Sequence, residues 1–392
     1  MTRLRLARSG AMAAVLLVPI DGWTQGPAPP GTSNAPPTFV YVGTHADKGK
    51  GIYLFRLQTE NLEVSQNITL VPLGLAADTP NPTSFAIDFS RRRLFTVNEI
   101  DQFEGKSGGA VTAFAIESAS GKLTTLNQQA SMGERPCQIA LDKDAAHVLV
   151  ANCGSGSLAV LPVAPDGRIG DATVAVNTPA RCLALDPASR FVYVCDQAGD
   201  RILMSRYDAL KGTVTTPEAA ARIKAGAGPH RMVFRPDGRF AYVGNERNST
   251  ISVFEVDRAT GALTERQSVS TLPEYYDGPN SAGEVAVHPS AKYLYVSNRG
   301  HNSVVLFTID ADKGTLAYVE EQGTGGKSPM HFGIEPSAKH LAIANHDSDA
   351  LLASRIDAGN GRLKPSGVFA SAPSPIFVMF LPPPGSPGED AK

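Results

Sequence analysis

The sequence has few of the residues that would place it in several large protein classes. It contains one Trp among 392 residues, which argues against repeat families that need a Trp in every unit. Its 36 basic and 38 acidic residues leave a net charge of −2, so there is no basic excess for binding a nucleic-acid backbone. Beyond Ile20, no apolar run is long enough for a membrane helix. We therefore expect neither a nucleic-acid partner nor a membrane span.

Glycine, proline and β-forming residues are abundant instead. The 37 Gly and 29 Pro residues indicate many turns, and a hydrophobic content of 42% is enough for a large folded core. Short segments rich in Val, Ile, Tyr and Phe alternate between apolar and polar residues, and no segment after the N-terminus has a clear helical period. The sequence therefore predicts an all-β protein.

The two ends of the chain differ from its middle. Arg3, Arg5 and Arg8 precede an apolar stretch at 11–20, which is typical of a signal peptide. We therefore expect a periplasmic or secreted protein, and a cytoplasmic protein with an unprocessed N-terminus is the alternative. The predicted divisions are a signal peptide at 1–26, a Pro-rich linker at 27–37, a folded domain at 38–382 and a disordered tail at 383–392.

Seven similar segments recur along the chain at intervals of 44 to 54 residues. Each is a strand-like run such as FVYVGT or FAYVGN, and most are followed by a Gly-x-aliphatic turn, as at Gly121 and Gly261. The seven runs end at Thr44, Asn98, Asn152, Asp196, Asn245, Asn298 and Asn345. Repeats of about 50 residues form arrays in which neighbouring units share a core.

Each repeat divides into four strands, and the first copy lacks one of them. The step from the start of the first strand to the end of the second is 15 residues in six copies, as from His230 to Asn245. The first copy begins with its second strand, whereas the segment SPIFVMFLP at 374–382 has no partner strands in sequence. Pairing this last strand with the first copy would close a ring and remove its sheet edges. We therefore predict a seven-bladed β-propeller with four-stranded antiparallel blades, closed by the C-terminal strand.

The segments YVGTHADKGKGIYLFRL, GPHRMVFRPDGRFAYVGNE and SNRGHNS resemble those of the seven-bladed β-propeller lactonases. This family includes bacterial 6-phosphogluconolactonase and the fungal carboxy-muconate lactonising enzyme. The resemblance covers Tyr41 to about Ser354 and implies a hydrolase that opens a sugar-acid lactone with activated water. The partner would be a small lactone or sugar acid, and we expect a monomer. Two alternatives stay open: a non-enzymatic propeller that binds a ligand or a protein, and a muconate-type cycloisomerase.

The propeller geometry sorts the ionisable residues by face. The starts of first strands and the ends of second strands lie on one face, around the axial channel, and the hairpin turns between them lie on the other. Lactone hydrolysis needs a base, a group that stabilises the oxyanion and an anion site. The candidate substrate-binding residues on the channel face are Arg231, Arg299, His301, Glu99, Glu284 and His331. By contrast, His147, His288 and His340 fall in the opposite hairpins and are expected to be structural.

The family resemblance also suggests a catalytic trio. The family's Glu corresponds to Glu246, the expected general base, and its Arg position falls at His230. The His of its P-H-A-H motif is absent, and Arg181 stands near its place. This exchange of Arg and His leaves open whether the activity is kept or changed, and we take Glu246, His230 and Arg181 as the candidate catalytic residues. We expect no metal and no other cofactor, because no close spacing of His, Cys and Asp recurs.

The four cysteines form two pairs with similar spacing. Cys182 and Cys195 lie in one predicted hairpin, and Cys137 and Cys153 are placed similarly one blade earlier. Both pairs come within possible reach of a disulfide, which an exported protein can form. Four buried thiols are the alternative.

Overall fold

A computed structural model describes residues 37–62 and 65–386 of the chain. The signal peptide predicted at 1–26, nearly all of the linker at 27–37 and most of the tail at 383–392 lie outside these residues. Over the described residues the chain forms seven antiparallel sheets that follow one another as blades. This arrangement confirms the predicted seven-bladed β-propeller.

The strands are numbered in chain order. Each blade uses consecutive strands, except that blade 2 carries a small additional ribbon and blade 1 also includes the last strand of the chain. Blades 1 to 4 contain β1 (Thr38–Thr44), β2 (Gly51–Leu62), β3 (Ser65–Asp78); β4 (Pro82–Asp88), β5 (Arg93–Asn98), the ribbon β6 (Gln102–Phe103) and β7 (Lys106–Ser107), β8 (Ala110–Ile116), β9 (Leu123–Ala130); β10 (Pro136–Leu141), β11 (His147–Asn152), β12 (Ser157–Pro162), β13 (Val174–Asn177); β14 (Cys182–Leu185), β15 (Phe191–Asp196), β16 (Arg201–Asp208), β17 (Thr213–Val214) and β18 (Glu218–Arg222). In blade 4 the outermost strand is split, because β17 and β18 both pair with β16.

The remaining blades follow the same plan. Blades 5 to 7 contain β19 (Pro229–Phe234), β20 (Phe240–Asn245), β21 (Thr250–Val256), β22 (Leu263–Ser270); β23 (Ser281–Val287), β24 (Tyr293–Arg299), β25 (Ser303–Ile309), β26 (Leu316–Gly323); β27 (Pro329–Ile334), β28 (His340–Asn345), β29 (Ala350–Ile356) and β30 (Leu363–Ser371), and the last strand is β31 (Pro375–Leu381). A 3-10 turn at His346–Ser348 follows β28. No helix in the described part of the chain is long and apolar enough to cross a membrane.

The C-terminal strand closes the ring, as the missing strand of the first repeat predicted. β31 pairs antiparallel with β1, with Phe39 opposite Leu381 and Val42 opposite Val378. It therefore takes the innermost position in blade 1, which the other blades fill with their own first strand. The first sheet is thereby completed without an exposed inner edge.

The two sequence marks of the repeat meet between neighbouring blades. The Tyr41 hydroxyl in blade 1 donates to the backbone oxygen of Gly121 in blade 2 at 2.7 Å. The equivalent bonds join Tyr193 to Gly261, Tyr242 to Gly314 and Tyr295 to Gly361. These turns need glycine, because Gly261 has a φ of 81° and an added Cβ would lie 2.8 Å from the Phe191 ring. The repeated Tyr and Gly residues therefore link neighbouring blades at four of the seven junctions.

Both cysteine pairs form disulfides. Cys137 and Cys153 are joined in blade 3, with Cα atoms 5.8 Å apart. Cys182 and Cys195 are joined across β14 and β15, with Cα atoms 4.9 Å apart, and both are fully buried. Of the two alternatives for the cysteines, the structure therefore has the bridged one.

Candidate active site

A cavity of about 480 Å³ opens on the channel face. Its walls come from all seven blades, at the starts of first strands and just after second strands. The lining residues are His45, Asp47, Thr83, Ser84, Glu99, Arg135, Cys137, Gln138, Cys153, Arg181, His230, Arg231, Glu284, Arg299, Met330, His331, His346, Ile376 and Phe377. The first strands are the innermost strands of their blades and contact one another around the axis, so their starts converge here although they are far apart in sequence.

Most of the predicted site residues lie around this cavity, and two do not line it. Glu246 lies behind the wall, in contact with the lining residue Arg299. His301 packs against the ring of Tyr276, with centroids 4.6 Å apart, and its Nδ1 lies 2.8 Å from the Ser303 hydroxyl. His301 therefore belongs to an aromatic cluster beside the site.

Glu246 is an ionised carboxylate with both oxygens engaged. Arg299 Nη2 donates to its Oε1 at 2.5 Å, and the Gln197 amide donates to its Oε2. Burial alone would raise the pKa of this carboxyl, but His230, Arg299 and the Gln197 bond together hold its pKa below the ordinary value. Glu246 is thus a fixed negative charge at the edge of the cavity.

His230 stands at the start of β19 and carries an unengaged ring nitrogen. Its Nδ1 is buried and has no hydrogen-bond partner among the described residues. Burial is the main reason why the pKa of His230 falls to about 4; Glu246 opposes this shift, and Arg299 and the other nearby arginines add to it. The imidazole is therefore neutral at pH 7 and keeps a lone pair that can accept a proton.

Glu284 forms a second, self-contained cluster with Arg231 and His331. Arg231 Nε donates to Glu284 Oε1 at 2.8 Å, and its Nη2 lies 2.5 Å from Oε2. His331 accepts a hydrogen bond from the Val378 N–H at Nδ1 (3.4 Å), so its Nε2 carries the hydrogen that faces Glu284 at 3.3 Å. Burial, with a smaller contribution from Arg231, lowers the pKa of His331 to about 4 despite the opposing charge of Glu284.

A third group of polar residues at the cavity consists of Glu99, Arg135 and Arg181. Arg135 Nη2 lies 3.1 Å from Glu99 Oε1. Arg181 is exposed to the cavity, and its guanidinium makes no ion pair or hydrogen bond with any described residue. It is therefore the cation in this group that is available to a bound anion.

Arg135 is a lining residue that the sequence analysis missed. It precedes Pro136 in a left-handed conformation, with φ of 50°. Four other residues have this place before a proline and a positive φ: Asn81, Gly228, Ser328 and Ser374. Aligning the repeats on these prolines would have marked the position, because each copy turns there into its first strand.

The structure contains no obvious metal site. Over residues 37–62 and 65–386 there is no group of three or more His, Cys, Asp or Glu residues arranged to hold an ion. The polar groups that line the cavity include the guanidinium of Arg181 and the carboxylates of Asp47, Glu99 and Glu284. The Cys137–Cys153 disulfide contributes to the wall near Arg181.

Comparison with known proteins agrees with the fold. The sequence matches the family described as "Lactonase, 7-bladed beta-propeller" over residues 39–380, and the chain belongs to this family. It is 30% identical over 305 residues to a 6-phosphogluconolactonase of Bacillus subtilis, in an alignment of 74% of this chain with 83% of that protein. It is 27% identical over 312 residues to a 6-phosphogluconolactonase of Formosa agariphila, covering 75% and 84% of the two chains.

A solved structure extends this similarity to three dimensions. The periplasmic gluconolactonase of Pseudomonas aeruginosa superposes with a TM-score of 0.79 at 26% identity, covering 89% of this chain and all of that one. The family membership and the cavity together define the protein as a lactonase-type propeller with a small-molecule site.

Proposed function

We propose that the protein hydrolyses the lactone of a sugar acid in the channel-face cavity. The observation that carries this proposal is His230, which lines the cavity with a neutral imidazole and has the ionised Glu246 and Arg181 among its charged neighbours. The relatives named 6-phosphogluconolactonase and gluconolactonase support the same reaction class.

In the proposed mechanism His230 is the general base and Glu246 assists it. Both oxygens of Glu246 already accept hydrogen bonds, so its carboxylate is less available to take a further proton. His230 removes a proton from water as the water oxygen attacks the lactone carbonyl carbon. The nearby Glu246 charge then stabilises the imidazolium, because it favours the protonated form of His230.

Arg181 has the complementary role on the oxyanion. The carbonyl oxygen becomes negative as the water adds, and the unpaired guanidinium can donate to it. When the tetrahedral intermediate collapses, the bond from the carbonyl carbon to the ring oxygen breaks. The ring oxygen leaves with the bonding electron pair and takes the proton from His230, which yields the open hydroxy acid and the neutral imidazole.

The test is hydrolysis of D-glucono-1,5-lactone by the purified protein, corrected for spontaneous ring opening. His230→Gln should lower kcat by about 10²-fold or more, which is the usual contribution of a general base. His147→Gln is the matched control, because His147 lies in a hairpin on the opposite face. Absence of turnover by the wild-type protein would reject the proposal, and binding of gluconate without turnover would favour a binding module.

We also propose that the protein is exported. The basic and apolar N-terminal segment supports this location, as does the similar gluconolactonase described as periplasmic. Mass spectrometry of the protein from periplasmic and cytoplasmic fractions tests it. An intact Met1 found solely in the cytoplasm would contradict export.

A further inference from the structure

The arginines around the cavity are nearly all neutralised by carboxylates. Four arginines line it, and three of them form ion pairs: Arg135 with Glu99 at 3.1 Å, Arg231 with Glu284 at 2.5 Å and Arg299 with Glu246 at 2.5 Å. Arg181 is the fourth and has no partner among the described residues. The three ion pairs are each neutral overall, so Arg181 leaves this group of residues with one excess positive charge.

Other cations add little to this charge. The lining residues include no lysine, and Lys48 beside the cavity is bound to Asp349 at 2.9 Å. His230 and His331 are neutral at pH 7, because burial lowers their pKa values to about 4. Asp47 also lines the cavity, with its carboxylate 3.2 Å from His45 Nδ1, and its negative charge offsets the excess positive charge.

This charge balance fits an uncharged lactone better than a phosphorylated one. A phosphate monoester carries a charge of about −1.5 to −2 at pH 7, and proteins usually hold it with several arginine or backbone donors. A neutral lactone develops a single negative charge, first on its carbonyl oxygen and then on the product carboxylate. One guanidinium matches that charge, since it donates two parallel hydrogen bonds to a carboxylate.

The carboxylates also suit the hydroxyl groups of a sugar. Glu99 engages Arg135 through Oε1, whereas its Oε2 makes no hydrogen bond within the described residues. A free carboxylate oxygen accepts a hydrogen bond from a hydroxyl, and it repels a phosphate. Glu99 therefore discriminates between a hydroxyl and a phosphate at the same position of a ligand.

We infer that the substrate is the lactone of an unphosphorylated sugar acid, with Arg181 as the anion-binding residue and Glu99 as the residue that excludes phosphate. This inference rests on the proposed lactonase function. It concerns the charge of the ligand, so it can be tested both by turnover and by binding.

The experiment compares D-glucono-1,5-lactone with its 6-phosphate as substrates, and gluconate with 6-phosphogluconate as ligands in calorimetry. The wild-type protein should favour the unphosphorylated member of each pair by about tenfold or more in kcat/KM and in affinity. Arg181→Gln should weaken the binding of gluconate, because it removes the unpaired cation.

A charge-changing variant tests the role of Glu99. Glu99→Gln removes a negative charge and releases Arg135, so the preference against the phosphorylated compounds should shrink by about threefold or more. Glu255→Gln is the matched control, since Glu255 on β21 pairs with Arg266 on β22, away from the cavity and with both side chains nearly half exposed. This control should leave the preference unchanged.

The outcomes separate the two proposals. Faster turnover or tighter binding of the phosphorylated compounds overturns the inference, whereas the lactonase function stands if either lactone is opened. Tighter binding of gluconate without turnover of either lactone rejects the lactonase function and, with it, the assignment of a lactone substrate. Failure of both acids to bind and of both lactones to react overturns both.

Discussion

The hairpin face and the channel face are formed by opposite ends of the same strands, but their polar side chains find hydrogen-bond partners in different places. On the hairpin face, Asp142 ends a first strand and is almost fully buried. Its Oδ1 accepts from the N–H of Ala146 at 2.8 Å, and its Oδ2 lies 2.9 Å from both His147 Nδ1 and the Tyr207 hydroxyl. Both oxygens of this carboxylate are thus bonded to groups of its own turn or of the adjacent blade.

The same solution recurs around the hairpin face. Asp88 binds Ser90 and Arg91, and Glu335 binds Ser337 and His340. On the channel face, by contrast, charged residues differ between blades and pair across them, as Arg231 does with Glu284. Within the described part of the chain, His230 Nδ1 and the guanidinium of Arg181 have no hydrogen-bond partner. Polar groups that close on their own turn stabilise the fold, whereas open or cross-blade groups can serve a ligand.

Deleting residues 374–392 should have the largest effect and disrupt both faces, because β31 is the innermost strand of blade 1 and closes the ring. Its buried side chains are Phe377, Val378, Phe380 and Leu381. Burial of four such side chains contributes roughly 6–12 kcal/mol, which is comparable to the whole stability of a domain. We expect an insoluble or unfolded protein by circular dichroism and thermal melting. Deletion of 387–392 is the control, and equal melting temperatures for both truncations would contradict the role of β31.

Two glutamates, Glu246 on the channel face and Glu335 on the hairpin face, should differ in their effect on activity. Glu246→Gln should lower kcat by about 10²-fold, because the imidazolium of His230 loses its neighbouring charge. The acid limb of the pH–rate profile should also move to lower pH, since Glu246 raises the pKa of His230. Glu335→Gln breaks a comparable bond to His340 on the hairpin face and should lower stability with kcat retained. Equal losses of kcat in the two variants would remove the functional distinction.

The buried histidines of the channel face should make the protein sensitive to mild acid. His230 and His331 have pKa values of about 4 when folded, against 6.5 ordinarily. Between these values the unfolded state binds more protons, so the free energy of unfolding decreases as pH falls from about 6.5 to 4. The two histidines together account for roughly 2 kcal/mol or more of this loss.

Urea unfolding at several pH values measures this slope. His288 on the hairpin face has a lowered pKa from burial as well and contributes in the same direction. His230→Gln should reduce the slope but not abolish it. A slope identical to that of the wild-type protein would contradict the neutral, buried state of His230.

The smallest effect is expected from Asp142→Asn on the hairpin face. The substituted amide keeps the acceptor for the backbone but weakens the bonds to His147 and Tyr207, which costs about 1 kcal/mol. Thermal melting should detect the change, and kcat should stay at the wild-type value. Asp166→Asn in an exposed turn is the control with almost no expected effect, since exposed pairs contribute little. A loss of kcat in Asp142→Asn would show that the faces communicate.

Much of the architecture was predictable because it repeats. The alternation in each copy defines strands, the constant step to residues such as Asn245 defines the hairpin, and the unmatched C-terminal segment defines ring closure. These signals are local, and each is present in several copies. The positions around the channel could be located for the same reason, as the cavity-lining places of His230 and Arg181 show.

The partners of those residues could not be predicted. Sequence reasoning placed His301 among the binding residues, but the loop carrying Tyr276 holds it outside the cavity lining. It named Glu246 as the base but not the contacts from Gln197 and Arg299 that engage both of its oxygens and underlie the different role proposed here. Arg299 is 53 residues from Glu246 and comes from the next blade.

The sequence by itself determined the number of blades, the closing strand and the face on which each charged residue stands, because strand alternation and repeat length act within a single unit. The tertiary structure alone decided which charges neutralise one another and which remain free. That outcome depends on how neighbouring blades are packed about the axis, where a difference of a few ångströms separates an ion pair from an open cation. The free state of Arg181 and the unengaged nitrogen of His230 are consequences of that packing.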